Sequence, residues 1–100
     1  MLILLPIDKS ELDGASLAPL NDVKKFALLD YEEAQIKELE YFDTHEEIEK
    51  WVDIVVVSSN TEYVWPFMEK QITVLVAHNQ RKVEDVLEAY LFKELQEMSY

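Results

Sequence analysis

The sequence predicts an α/β domain built around a mostly parallel sheet. Three observations carry that expectation. The runs Ile54-Val55-Val56-Val57 and Ile72-Thr73-Val74-Leu75-Val76-Ala77 have the composition of buried central strands. Helical patterns follow each of them. Ahead of them lies a hairpin section. The resulting order is β-β-β-α-β-α-β-α, and its β-α repeats impose parallel strands with right-handed crossovers. One hundred residues make one domain, here residues 1–100, long enough to bury roughly two-thirds of its unfolded surface without a staple.

The first element is the apolar run Leu2 to Ile7, short enough for a strand buried on both faces. Pro6 lacks an N–H, so it belongs near the end of that strand. Residues 8–22 carry Asp8, Ser10, Asp13, Gly14, Ser16, Pro19, Asn21 and Asp22, which is loop chemistry over an unusually long connection. Residues 23–31 and 34–42 read as two strands of a hairpin around Glu32-Glu33. The second of these alternates imperfectly. Ile36 shares its parity with Glu38, Glu40 and Phe42, while Leu39 and Tyr41 take the other, so its inner face stays open.

Thr44 and Glu47 have capping-box spacing, which opens a short helix with Ile48, Trp51 and Val52 on one face. The β-branched run 54–57 is stiff at χ1 and suits a pleated, buried surface. Ser58-Ser59-Asn60-Thr61 ends it and offers helix caps. A helix over 61–70 either starts near Trp65-Pro66 or is kinked by Pro66. After the strand at 72–77 and a turn at His78-Asn79-Gln80, an apolar stripe runs through Val83, Val86, Leu87, Tyr90, Leu91, Leu95 and Met98. It predicts one long C-terminal helix. Val55, Val57, Val74, Val76 and Leu87 should be almost fully buried.

Composition narrows the function. Net charge is −12, and the nine basic residues are scattered among acids. A phosphate backbone needs lysines and arginines clustered on one face, so neither nucleic acid nor an anionic membrane is an expected partner. The acidity reads as a solvated surface, whose repulsion should ease on mild acidification. The absence of cysteine removes disulfides, thiolate metal sites and cysteine nucleophiles. The opening residues have no basic flank, and their apolar run is too short for a signal peptide or a span, so a cytoplasmic protein is expected.

Several stretches carry a family resemblance. Leu2-Ile3-Leu4-Leu5-Pro6-Ile7-Asp8, the segment from Leu20 to Asp30, Asp53-Ile54-Val55-Val56-Val57-Ser58-Ser59 and the segment from Val83 to Leu91 resemble, in order, the opening strand, the segment after the first loop, the fourth strand and the last helix of the dinitrogenase iron–molybdenum cofactor family, the small NifX-type and NifB-tail domains. The chain resembles a divergent member over essentially its whole length. The resemblance implies a ribonuclease-H-like five-stranded mixed sheet, order 3-2-1-4-5 with strand 2 antiparallel, flanked by three helices. It further implies a domain that binds or carries iron–molybdenum or iron–sulfur cofactor precursors. The family often has His-Phe-Gly where this chain has Leu20-Asn21-Asp22, and a glycine pair where it has Ser58-Ser59. The alternative is therefore a degenerate member acting as a small protein-interaction domain without a cluster.

With that strand order, Asp8, Ser58-Ser59-Asn60 and His78 gather at one sheet edge, and the crevice between strands 1 and 4 is where ligands settle in open α/β sheets. Asp8, Asn21, Ser58, Ser59, Asn60 and His78 are the candidate binding residues. No metal-ligating set is expected. His45 reads as an exposed first-turn residue, separated from His78 by four strand spacings, so the two should not share an ion. Trp51 and Trp65 read as core or cleft wall. Asp8 and Asp53 fall at opposite edges, and no nucleophile triad or phosphate loop is present. The chain is expected not to be an enzyme.

Overall fold

Continuous β-branched and leucine-rich runs form the middle of the sheet, because only residues apolar on both parities can be buried on both faces. The structure, a computed structural model, describes residues 1–98. The strands are β1 (Leu2–Ile7), β2 (Lys25–Glu32), β3 (Gln35–Phe42), β4 (Ile54–Val57), β5 (Thr73–Val76) and β6 (Gln96–Glu97). The helices are α1 (Trp65–Glu69) and α2 (Val83–Leu91). All six strands join one sheet in the order β3-β2-β1-β4-β5-β6. β2 is antiparallel to β1 and to β3, whereas β1, β4 and β5 run parallel. The expected order 3-2-1-4-5 is thus present, extended by a sixth strand, and two helices stand where three were expected.

One apolar cluster lies on the α2 side and contains Ile3, Leu5, Ala27, Leu29, Tyr31, Val56, Val86 and Leu87. The other lies on the α1 side and contains Leu4, Phe26, Leu28, Val55, Val57, Phe67, Val74 and Val76. Alternate residues of each strand divide between the two. Val55 and Val57 are fully buried, and Val74, Val76 and Leu87 nearly so.

The expected helix after Thr44 is a single 3-10 turn, His45–Glu47. The Glu47 carboxylate does reach back to the Thr44 N–H, at 2.9 Å. Geometry limits the turn. The chain must pass from β3 over β2 and β1 to β4, about 14 Å sideways, and return along the strand direction. A nine-residue helix would reach only about 13 Å. An extended path therefore follows Ile48, burying Val52 and leaving Trp51 69% exposed, outside the core but on the wall of a hollow with Ile48 and Phe67. α1 begins at Trp65 with Pro66 in its first turn, where the missing N–H costs nothing. Trp65 itself is exposed.

The long C-terminal helix stops at Leu91. Lys93 takes a left-handed φ of 56°, and the Glu94 N–H returns to the Ala89 carbonyl at 2.8 Å. The chain then reverses, and β6 pairs antiparallel with β5. Leu95 and Met98 continue the helical spacing in sequence, yet Leu95 packs on the α2-side cluster and Met98 on the α1-side one. That division is what a strand does with residues three apart.

The β2–β3 hairpin turns on Glu33 and Ala34, with φ of 53° and 62°. A bulge between Asp30 and Tyr31 in the register leaves Lys37 without a cross-strand partner. It explains the broken alternation. Tyr31 faces Ile36, while Leu29 and Ala27 face Leu39 and Tyr41. Ile36 therefore joins Leu39 and Tyr41 on the α2 side despite its opposite parity.

Candidate functional site

The parallel strands β1, β4 and β5 all end at one edge, at Ile7, Val57 and Val76. The chain leaves β1 in one direction and β4 in the other, which opens a crevice between their ends. It is bounded by Pro19, Leu20 and Asn21 from the β1–β2 loop and by Ser58, Ser59, Thr61, Glu62 and Tyr63 from the β4–α1 loop. Phe26, His45, Pro66 and Phe67 complete a hollow of about 670 Å³.

Glu62 holds this site together. Its Oε2 accepts from the Ser58 N–H at 3.0 Å and from the Ser58 hydroxyl at 2.8 Å. Its Oε1 accepts from the Leu20 N–H. One carboxylate thus ties the loop after β4 to the loop after β1, using three donors. Nearby, the hydroxyls of Ser59 and Thr61 lie 2.8 Å apart, and the Thr61 N–H donates to Ser59 Oγ at 3.2 Å, a small hydroxyl turn that shapes the rim.

His45 forms part of the wall. Its ring stands edge-on to Phe26, with centroids 5.6 Å apart, and tilts against Phe67 at 4.8 Å. Burial among these rings pushes its pKa down. Lys70 pushes it the same way, and Glu46 pulls it up. The exposed position expected for His45 is not found, because the extended path after β3 folds the residue across the α1 side of the sheet. At the base of that path the Lys25 ammonium pairs with Asp43 and holds its carboxyl below the usual carboxylate range.

Of the candidate residues, the structure brings Asn21, Ser58 and Ser59 to the crevice. Asp8 turns elsewhere: its carboxylate accepts from the Ser16 N–H at 2.9 Å, and its own N–H donates to the Ser16 carbonyl. That pairing holds the loop strand at Leu17, which bridges to Ile7 on one side and bonds the Arg81 carbonyl on the other. Asn60 is exposed and does not line the hollow. His78 is exposed beyond β5, where Arg81 bonds the Ala77 and Gln80 carbonyls to fix the turn. Glu62, Tyr63 and the aromatic seat of His45 were absent from the sequence reading. Among the described residues no group of three or more His, Asp or Glu side chains converges as a metal site. No helix among them is long and apolar enough to cross a membrane.

No protein-family model matches the chain, and no curated protein matches it. Solved structures do. A protein of Methanocaldococcus jannaschii described as a "putative dinitrogenase" (mj0327) superposes with a TM-score of 0.76 at 16% identity, covering 99% of this chain and 95% of that one. PH0822 superposes with a TM-score of 0.70 at 15% identity, covering 100% of this chain and 97% of that one. At such identities the likeness is one of architecture, and it extends from end to end: this chain has a dinitrogenase-like α/β fold.

Proposed function

We propose that this chain is a non-catalytic domain, on a nitrogenase-related fold, that works by contact with another protein and carries no metal cluster. The observation behind the reading is the Glu62 carboxylate. In open α/β sheets the loop N–H groups at the switch point bind the ligand. Here the Ser58 and Leu20 N–H groups and the Ser58 hydroxyl all point at a side chain of the protein itself. A ligand using those donors would first have to displace a charged group held by three hydrogen bonds.

The donor chemistry argues the same way. Iron–sulfur clusters are held by thiolates, with imidazole as the occasional substitute. The sequence has no thiol. The crevice offers hydroxyls, one amide and a saturated carboxylate, and His45 is its single imidazole. These residues do not fit a cluster. Of the two readings the fold suggests, a cluster carrier and an interaction domain, the second agrees with the residues present.

Anaerobic reconstitution with ferrous iron and sulfide tests the proposal. The expected outcome is no stoichiometric iron retained after desalting and no visible charge-transfer absorption. Retention of one cluster per chain, lost on replacing His45 or His78 with alanine, would establish the carrier reading instead.

A further inference from the structure

On the α2 side of the sheet, β3 carries an apolar face that the described residues leave partly exposed. Ile36, Leu39 and Tyr41 point to this side, and they are 40%, 37% and 37% exposed. Their cross-strand partners Tyr31, Leu29 and Ala27 are buried beneath α2. The opposite wall is α2 with its continuation, where Leu91 and Phe92 are exposed at 43% and 68%. Two hollows lie between these walls, of about 780 and 910 Å³. Ile36, Glu84 and Leu87 line both, so the two form one groove. Leu12 closes one end, its N–H donating to the Tyr41 hydroxyl at 2.7 Å.

The charge of the groove is one-sided. Among the described residues, Glu11, Asp13, Glu84 and Glu88 line it against Lys82, with the Lys9 ammonium beside Gly14 at one end. None of the four carboxylates forms an ion pair among the described residues. We propose that this groove receives a basic amphipathic helix of a partner protein. The proposal deepens the interaction reading above and rests on it.

Three features choose that occupant. An apolar floor asks for an apolar stripe, and an acidic rim asks for lysine or arginine beside the stripe. From Ile36 to Tyr41 the floor runs about 17 Å, the length of a helix of about 11 residues. A second copy of this chain, at net charge −12, would bring acid against acid. A strand would add to the outer edge of β3 rather than to its face, and the bulge at Lys37 interrupts that edge.

The test uses the full chain and two synthetic peptides of three to four helical turns. Both carry leucines at i, i+3, i+4 and i+7; one has lysines flanking the stripe and the other has glutamates. The lysine peptide is expected to bind one to one by calorimetry and to shift the NMR signals of Ile36, Leu39 and Leu91. The glutamate peptide is expected not to bind. Leu39→Glu and Leu91→Glu should each weaken the lysine peptide by roughly tenfold or more, as loss of a central apolar anchor does. Glu84→Lys with Glu88→Lys should weaken it severalfold and flatten its salt dependence. Circular dichroism confirms that each variant is folded, and Phe92→Asp, at a more exposed position, replaces any that is not.

Absence of saturable binding would overturn the proposal. So would binding indifferent to both leucine substitutions, which would be charge attraction alone. Self-association of the chain that Leu39→Glu abolishes would overturn the occupant in favour of a second copy. Cluster uptake in the reconstitution experiment would sink the interaction reading while leaving the peptide titration as it stands, so the two failures are separable.

Discussion

His45 and Glu62 show two ways in which a half-buried polar side chain is accommodated. His45 is seated between Phe26 and Phe67, and its pKa is lowered, chiefly by burial. A histidine whose folded pKa lies below its unfolded value of about 6.5 contributes stability that is fully present above that value and is lost as pH falls through the folded one. His45 therefore works against the gain expected from easing carboxylate repulsion. Replacing it with phenylalanine, which keeps an aromatic ring in the seat, should remove the loss. The melting temperature of His45→Phe relative to wild type should rise between pH 7.5 and pH 5, and a constant difference would contradict this. Glu62 is satisfied by three donors, two of them backbone N–H groups of separate loops. Glu62→Ala should cost about 2 kcal/mol in urea denaturation, the scale for hydrogen bonds to a charged group. Glu62→Gln keeps one acceptor oxygen but turns its NH2 donor against the N–H of the other loop, so it should be destabilising as well. Neither role was legible in the sequence. Leu20 and Glu62 lie 42 positions apart, and no local spacing announces a carboxylate that bridges loops. By contrast Val55, whose β-branched neighbours mark a central strand, was readable as core at once.

Among the elements, composition alone decides some, and tertiary pairing decides the others. β1, β4 and β5 needed only their apolar runs. The end of α2 depended on Lys93 taking a left-handed conformation, and nothing in a helical stripe reveals that its last two members will sit on opposite faces of a sheet. The broken alternation of β3 was visible, but its cause, the bulge at Lys37, exists only in the pairing with β2. The hairpin turn carries a further mark of its own. Glu33 and Ala34 both have positive φ, the two-residue geometry that favours Asn-Gly. A left-handed alanine costs roughly 1 kcal/mol that glycine does not. Ala34→Gly should therefore stabilise the domain by up to about that amount, less the extra freedom glycine gains when unfolded. Thermal melts would show an increase of a few degrees, and a decrease would mean that the turn is not strained at this position.

For the molecule as a whole, the expected strand order was correct because the family resemblance supplied the topology, and end-to-end superposition on two solved structures supports the same architecture. Neither periodicity nor composition could have placed β1 between β2 and β4. The crevice position followed from that order, which is why Asn21, Ser58 and Ser59 reach it. Asp8 and His78 sit at the same edge yet serve their own loops, since the order of strands fixes which edge a residue occupies but not where its side chain turns.

The seam between β1 and β4 divides the sheet into a half built from antiparallel pairs and a half built largely from β-α repeats. Its ladder pairs Ile3 with Ile54 and Leu4 with Val55, residues 51 positions apart. The β2–β3 pairing, by contrast, closes through a two-residue turn. Bringing the seam together carries a loop-closure entropy of about 3.5 kcal/mol from chain length alone, before any contact repays it. The rate at which this protein finds its fold should therefore be set at the seam, with the hairpin formed before it or alongside. Val55→Ala should slow refolding, with much of its destabilisation appearing in the folding arm of the chevron. Leu39→Ala, in the hairpin's outer strand, should act mainly by hastening unfolding. A chevron in which the two variants exchange these signatures would place the nucleus in the hairpin instead.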